Sequence, residues 1–203
     1  MKILAALIAT ACLATVASAQ NPVVVVKTSM GEITIELNKE KAPVTVENFL
    51  KYVEKKHYDG TLFHRVMDDF MIQGGGFSKG ATPEQKEVMA PIKNEAKTSG
   101  LSNTRGTIAM ARTTEPNTAT AQFFINVVDN GAGKLDPGGF SPDGYAVFGN
   151  VTAGMETVDK IKKVKTGVSK LKSRTRGGQL VESPSKNVPV EQVIIESVTL
   201  KAK

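Results

Sequence analysis

The sequence of 203 residues contains one cysteine, no tryptophan, three tyrosines and eight phenylalanines. Because the only cysteine, Cys12, lies in the N-terminal apolar run, the rest of the chain can form neither a disulfide nor a thiolate metal site. An aromatic binding surface would have to use a few identifiable phenylalanines. After the N-terminus, no stretch approaches the roughly 18 apolar residues of a membrane-spanning helix. These absences exclude a disulfide scaffold and favour an ordinary soluble domain.

Residues 1–19 have the three-part pattern of a secretory signal peptide. Met1-Lys2 precedes an apolar run that ends at Val16, and the small residues Ala17-Ser18-Ala19 follow. We expect cleavage after Ala19, which leaves residues 20–203 as one domain exported to a bacterial periplasm. Acylation of Cys12, as in a lipoprotein, is the alternative, but the residues before it match that signal poorly.

The basic residues are concentrated late in the chain, and the formal net charge is +6. The segment 160–186 is rich in lysine and arginine, with Glu182 as its one acidic residue. This pattern predicts an exposed basic loop, and the lack of interleaved aromatics disfavours binding to nucleic acid. Residues 79–98 are also polar and predict a loop.

Short runs of strand character dominate the remaining sequence. Val23–Thr28 is rich in β-branched residues and Glu32–Leu37 alternates strictly, which predicts a hairpin. A helix is predicted after Pro43, and a second one over Met155–Val164. The helix after Pro43 would bury one face, formed by Val46, Phe49, Leu50 and Val53. Further strands are predicted at Thr61–Val66, Phe70–Gln73, Thr107–Ala111, Gln122–Val127, Tyr145–Phe148 and Gln192–Leu200. Many strands with two helices indicate a mainly β fold, a closed barrel with helical caps.

An arginine and a glutamine interrupt two of these apolar strands. Burying Arg65 or Gln73 without partners would cost several kcal/mol. Alternation places Phe63 and Arg65 on one face of their strand, with His64 pointing away and favoured as a hydrogen-bonded structural histidine. A surface ion pair between Arg65 and a nearby aspartate is the structural alternative to a functional role.

The neighbouring strands add polar and aromatic side chains to the same pattern. Met71 and Gln73 share a face, and Phe70 should point the opposite way unless Asp68-Asp69 forms a bend. In the strand at Gln122, alternation places Gln122 and Phe124 on one face, which combines an amide with an aromatic ring.

These segments resemble the cyclophilin family of peptidyl-prolyl isomerases. The resemblance is carried by Phe63-His64-Arg65, Phe70-Met71-Ile72-Gln73-Gly74-Gly75, Pro116-Asn117-Thr118, Gln122-Phe123-Phe124-Ile125, Leu135-Asp136 and Tyr145-Ala146-Val147-Phe148-Gly149. The motifs extend over most of residues 20–203 in family order, and with the export signal they resemble the bacterial periplasmic branch. The resemblance implies a closed eight-stranded antiparallel β-barrel capped by two α-helices.

The resemblance also implies a role for particular residues. Arg65 matches the catalytic arginine, and Gln73 and Gln122 match groups that bind the substrate backbone. Ala111 and Arg112 match the strand end along which the peptide lies, with the main chain of Arg112 serving where the family often has asparagine. The pocket for the proline ring is matched by Phe70, Met71, Phe124 and Leu135, and Tyr145 takes a position where many eukaryotic members have histidine. Lys134 replaces a tryptophan that contacts cyclosporin, so we expect weak cyclosporin binding.

Rotation about an X-Pro bond needs no nucleophile, metal or other cofactor, because no covalent bond breaks. The expected function is therefore isomerisation of X-Pro bonds in proline-containing polypeptides, assisting the folding of exported proteins. A non-catalytic proline-binding module or holdase chaperone is the alternative. We expect a monomer that binds no nucleic acid and does not insert stably into a membrane, since no heptad pattern or long apolar edge strand is visible.

Overall fold

The computed structural model describes residues 20–175 and 177–201, so the predicted signal peptide and Cys12 lie outside the described residues. The helices are α1 (Pro43–Glu54), α2 (Ala96–Ser99) and α3 (Met155–Lys162), and Gly131–Leu135 forms a tight loop whose backbone is non-helical at Ala132 and Gly133. The strands are β1 (Val23–Thr28), β2 (Gly31–Leu37), β3 (Thr61–Val66), β4 (Met71–Ser78), β5 (Thr107–Met110), β6 (Phe123–Asn126), β7 (Val147–Ala153), β8 (Thr166–Arg174), β9 (Leu180–Pro189) and β10 (Ile194–Leu200).

Eight of the strands close into an antiparallel barrel in the order β1-β10-β3-β4-β6-β5-β7-β2. The predicted hairpin of β1 and β2 is present, with Val23 opposite Glu36 and Thr28 opposite Gly31. The prediction of a mainly β, closed eight-stranded barrel is confirmed. Within residues 20–175 and 177–201, no helix is long and apolar enough to cross a membrane.

Helix α1 buries the predicted apolar face, except that one of its four predicted core residues is replaced by another. Val46 and Phe49 are fully buried, but Leu50 is only partly buried and Tyr52 takes a place in the core instead. The first turn has no local cap. The carboxylate of Glu95 accepts hydrogen bonds from the backbone N–H groups of Val44 and Thr45, at 3.1 and 2.8 Å. A distant residue thus satisfies amides that a helix start leaves unpaired.

Strand β7 extends beyond its predicted end at Phe148. Gly149 and Asn150 are typical of a turn in sequence, yet both pair with β2. A Cβ atom on Gly149 would lie 2.4 Å from the carbonyl oxygen of Glu36. Glycine is therefore required here for the close approach of two strands, which local sequence cannot reveal.

The predicted basic loop is wrong in its conformation, because most of the segment 160–186 belongs to β8 and β9. These strands form a separate two-stranded antiparallel sheet. Leu171 is 3% exposed and packs with Phe77 and Val188. Its lysine neighbours are paired, Lys170 with Glu182 and Lys172 with Glu84. The segment therefore has the alternating burial of a strand, with a buried leucine between two lysines that are more exposed. The high charge of the segment predicts a loop instead.

The segment 79–98 is mostly irregular, as predicted, and it ends in the short α2. Residues 83–85 nevertheless lie between β4 and β8. The N–H of Ser78 donates to Glu84 O at 2.9 Å, and the N–H of Gln85 donates to Lys172 O at 2.8 Å. This connection fixes the β8–β9 hairpin beside the barrel.

Candidate active site

A small cavity of about 110 Å³ opens beside β3, β4 and β6. Nine of the ten residues selected from the sequence line it: Arg65, Phe70, Met71, Gln73, Ala111, Arg112, Phe124, Leu135 and Tyr145. The tenth, Gln122, accepts a hydrogen bond at Oε1 from Gln73 Nε2 at 2.9 Å. The structure therefore brings all ten residues together.

The pocket floor consists of side chains from three separate segments. Met71, Phe124 and Leu135 are each at most 4% exposed and form one apolar cluster with Ala109 and Val147. Leu135 enters the cluster from the end of the loop Gly131–Leu135, where its N–H donates to Asn130 O at 2.8 Å. A cavity this small, with an apolar floor, suits one compact ring rather than a larger ligand.

The bend at Asp68-Asp69, on which the predicted orientation of Phe70 depended, is present. Residues 68–70 form a turn before β4, and the N–H of Phe70 donates to Met67 O at 3.2 Å. Strand alternation therefore does not apply between Phe70 and Met71, and both side chains line the cavity.

The predicted shared face of Phe63 and Arg65 is wrong, because β3 contains a bulge. Phe63 pairs with Gly74 and Arg65 with Gln73, so His64 is the extra residue. Phe63 packs in the main core with its ring 6.1 Å from that of Phe123, whereas Arg65 lines the pocket. The bulge aims the arginine at the site.

The Arg65 guanidinium makes two side-chain contacts. Nη1 donates to Gln73 Oε1 at 3.4 Å and Nη2 to Met67 Sδ at 3.3 Å. The predicted alternative of an ion pair with a neighbouring aspartate is not observed among the described residues. Burial lowers the pKa of Arg65 from its usual value, although a guanidinium remains charged at neutral pH. The site thus contains a half-buried cation with donor capacity directed at the pocket.

Gln73 and Gln122 form the polar side of the pocket. Gln122 lies across Gly76 of β4, where a Cβ atom would be 2.5 Å from the Gln122 side chain. The amide pair therefore depends on glycine at this position. Together the two side chains offer both donors and acceptors, as a peptide backbone requires.

The side chain of Arg112 is a functional feature that sequence reasoning missed, since only its main chain was expected to serve. Nε and Nη2 both donate to Gly144 O, at 3.0 and 2.8 Å, and Nη2 also donates to Ser141 Oγ at 2.8 Å. The Arg112 Cζ atom lies 4.4 Å from the centre of the Tyr145 ring. That ring meets Phe124 edge-on with the centroids 5.9 Å apart. Arg112 therefore fixes one wall of the pocket.

Three buried asparagines beneath the pocket were also missed. Asn126 Nδ2 donates to Asn103 Oδ1 at 3.2 Å, and Asn130 Nδ2 donates to Asn126 Oδ1 at 2.9 Å. Asn103 Nδ2 in turn donates to Tyr145 O at 3.1 Å. The signal for this network is three amides in otherwise apolar or turn segments, which must find partners when buried.

His64 does not line the pocket, although it neighbours Arg65. Its ring is 4.6 Å from that of Phe77, and its buried Nδ1 has no hydrogen-bond partner among the described residues. Burial lowers the pKa of His64 to about 4, and burial followed by repulsion from Lys86 does the same for His57. Both are therefore neutral near pH 7.

Comparison with known proteins adds an independent result. The family model described as cyclophilin type peptidyl-prolyl cis-trans isomerase matches residues 23–199. A peptidyl-prolyl cis-trans isomerase of Streptomyces antibioticus is 54% identical over 177 residues, covering 85% of this chain and 95% of that protein. Peptidyl-prolyl cis-trans isomerase B of Escherichia coli is 51% identical over 173 residues, covering 85% and 96%.

A solved structure shows a similar fold at low sequence identity. The cyclophilin type peptidyl-prolyl cis-trans isomerase of Cryptosporidium parvum, crystallised in the presence of the dipeptide Ala-Pro, superposes with a TM-score of 0.67. The identity is 23%, and the match covers 89% of this chain and 99% of that one.

Proposed function

The chain belongs to the cyclophilin-type peptidyl-prolyl cis-trans isomerases, and we propose that Arg65 and the pocket beside it carry the reaction on exported proteins. The proposal rests chiefly on one observation, a half-buried guanidinium at a small cavity with an apolar floor, sized for a single ring. Proline-containing peptides are the substrates of this family.

The reaction requires only that a twisted amide bind better than a planar one. Rotation about an X-Pro bond crosses a barrier of about 18 to 20 kcal/mol because it destroys amide resonance. As resonance is lost, the lone pair of the prolyl nitrogen becomes a hydrogen-bond acceptor. Arg65 donates to that nitrogen more strongly in the transition state than in either isomer, which is the condition for catalysis.

The remaining residues hold the two sides of the bond. Phe70, Met71, Phe124 and Leu135 enclose the proline ring, with Tyr145 closing one wall. Gln73 and Gln122 bind the backbone beside it, and the strand end at Ala111 and Arg112 supports the peptide. One side of the bond then rotates while the other is fixed. The contacts from Arg65 to Gln73 and Met67 orient the guanidinium without an anion that would compete with the substrate.

Isomerisation of a short X-Pro peptide, followed by NMR exchange spectroscopy, tests the roles in this site. Replacing Arg65→Ala is expected to lower kcat/KM about 10²- to 10³-fold, the usual effect of removing one transition-state donor. Arg105→Ala is the matched control, because Arg105 pairs with Asp159 on the surface. A protein that binds the peptide without accelerating exchange would instead be the proline-binding module or holdase. Full activity in Arg65→Ala would remove Arg65 from the mechanism.

We further propose that the protein assists folding in the periplasm after cleavage at Ala19. The proposal is supported by the signal pattern of residues 1–19 and by the position of β1, which begins at Val23. N-terminal sequencing of protein purified from the periplasmic fraction is expected to start at Gln20. Recovery of the chain only from the cytoplasm, with residues 1–19 intact, would contradict the proposal.

We propose a monomer in solution, and light scattering of the purified protein tests this. Refolding of an exported protein whose slow step is proline isomerisation tests the folding role. The slow phase should accelerate with the intact protein and remain slow with the Arg65→Ala variant.

A further inference from the structure

A second, larger groove of about 760 Å³ continues directly from the proline pocket. The two cavities share Gln73, Ala111 and Arg112 in their linings. Gln122 and Thr118 also line the groove. A polypeptide with its proline in the pocket therefore leaves through this groove on one side of the ring.

The β8–β9 hairpin supplies the far wall of the groove, through Arg174, Thr175 and Gly178. The wall is held in place by hydrogen bonds from its backbone N–H groups. The N–H of Lys172 donates to Pro83 O at 2.9 Å, and the N–H of Arg174 donates to Gln85 Oε1 at 2.8 Å. The groove is thus bounded on one side by a segment far away in sequence from the catalytic strands.

The charges that line the groove are unbalanced among the described residues. Arg112 and Arg174 contribute two guanidinium groups, and Glu87 contributes one carboxylate. The Arg112 guanidinium donates only to carbonyl and hydroxyl oxygens, which leaves its charge uncompensated. The groove therefore has an excess of positive charge.

Arg174 is oriented by the backbone and only loosely paired. Nε donates to Gln85 O at 3.0 Å and Nη1 to Gly178 O at 3.1 Å, which fix the plane of the guanidinium. Nη2 lies 3.7 Å from Glu87 Oε1, beyond hydrogen-bond distance. The Glu87 side chain is 87% exposed, so water competes for it.

We propose that this groove selects substrates with an acidic side chain near the proline, through the guanidinium of Arg174. The inference rests on the proposed function, since it takes the proline pocket as the substrate site. A substrate carboxylate displaces Glu87 and accepts a charge-assisted bond from Nη2. Arg112, at the junction with the proline pocket, adds to the attraction, whereas a lysine in the substrate is repelled.

The test compares proline peptides of equal length that carry Glu, Gln or Lys at one of the three positions on either side of the proline. At the position that reaches the groove, we expect kcat/KM for the Glu peptide to exceed that for the Lys peptide about fivefold at low salt, falling as salt is added. Arg174→Gln is expected to bring the ratio close to one. Glu87→Gln should raise the ratio of Glu-peptide to Lys-peptide kcat/KM, because it removes the carboxylate beside Arg174 and leaves the hairpin residues unchanged.

The control is Lys170→Gln, the same loss of charge on the same hairpin at a residue that does not line the groove. It should leave the ratio unchanged. Equal kcat/KM for Glu and Lys peptides at all positions, or an intact preference in Arg174→Gln, would overturn the inference while leaving isomerisation of the Gln peptide in place. Tighter binding of the Glu peptide by a protein that accelerates none would instead support the groove and remove the proposed chemistry.

Discussion

The buried amide of Asn130 donates from Nδ2 to the carbonyl oxygen of Phe70 at 2.7 Å, across 60 residues of sequence. The same nitrogen donates to Asn126 Oδ1. Through this bond the asparagine network holds the turn that presents Phe70 to the proline pocket. The network therefore links the interior of the protein to the geometry of the site.

Loss of this bond should affect both stability and substrate binding. Asn130→Ala is expected to destabilise the protein by about 1 to 3 kcal/mol, because the buried Asn126 Oδ1 loses its donor and Phe70 O retains only the N–H of Val127. It should also raise KM more than it lowers kcat, since Phe70 holds the ring rather than the rotating bond. Urea unfolding and steady-state kinetics measure the two effects. Asn150→Ala, at an exposed amide, is the control and should change stability by less than about 0.5 kcal/mol.

The donor geometry of Arg65, and not its charge alone, should determine the rate. Arg65→Lys keeps a cation in the half-buried position but loses the planar fork that reaches Gln73 and Met67. We expect a loss of at least about tenfold in kcat, with KM nearly unchanged. NMR exchange at saturating peptide separates the two parameters. A lysine variant with the parent kcat would show that a point charge is sufficient.

Arg112 is expected to act on substrate binding through Tyr145. Arg112→Met keeps much of the side-chain length but removes the bonds to Gly144 and Ser141 and the cation over the ring. The expected result is a rise in KM of about tenfold with a smaller change in kcat, because the wall of the pocket loosens. Ser141→Ala removes one of these acceptors and should have a smaller effect. A fall in kcat alone would place Arg112 in the chemical step.

The buried histidines should make the protein less stable in weak acid. Burial lowers the pKa of His64 from 6.5 to about 4. Between these pH values the unfolded chain binds a proton that the folded chain does not, so the free energy of unfolding falls as the pH drops from about 6.5 to about 4. His64 contributes at most about 3 kcal/mol to this fall in the free energy of unfolding. The fall ends once the pH is below the folded-state pKa. His57 acts in the same direction.

Urea denaturation at pH 7 and pH 4.5 measures this loss. In His64→Gln the fall in stability between the two pH values should be smaller than in the parent protein, because one titrating group is absent. NMR of the imidazole signals gives the folded-state pKa directly. A His64 resonance that titrates near 6.5 in the folded protein would contradict the prediction.

Much of the fold follows from patterns within short segments. The alternation of β2 and the apolar face of α1 identify these elements, because each buries one face against the rest of the protein. The same local patterns predicted the barrel. The selected site residues were named from motifs whose resemblance to a family gave the roles, and the structure brings them around one cavity.

Other features depend on contacts between residues distant in sequence. The bulge at His64 turns Arg65 toward the pocket, and Glu95 caps a helix that begins some 50 residues earlier. The basic segment folds as a hairpin because Leu171 finds Phe77 on β4. Hydrogen-bond partners and close backbone approaches of this kind arise only when separate strands meet. The sequence by itself determined which side chains the site contains, and the tertiary structure decided where each one points and what holds it there.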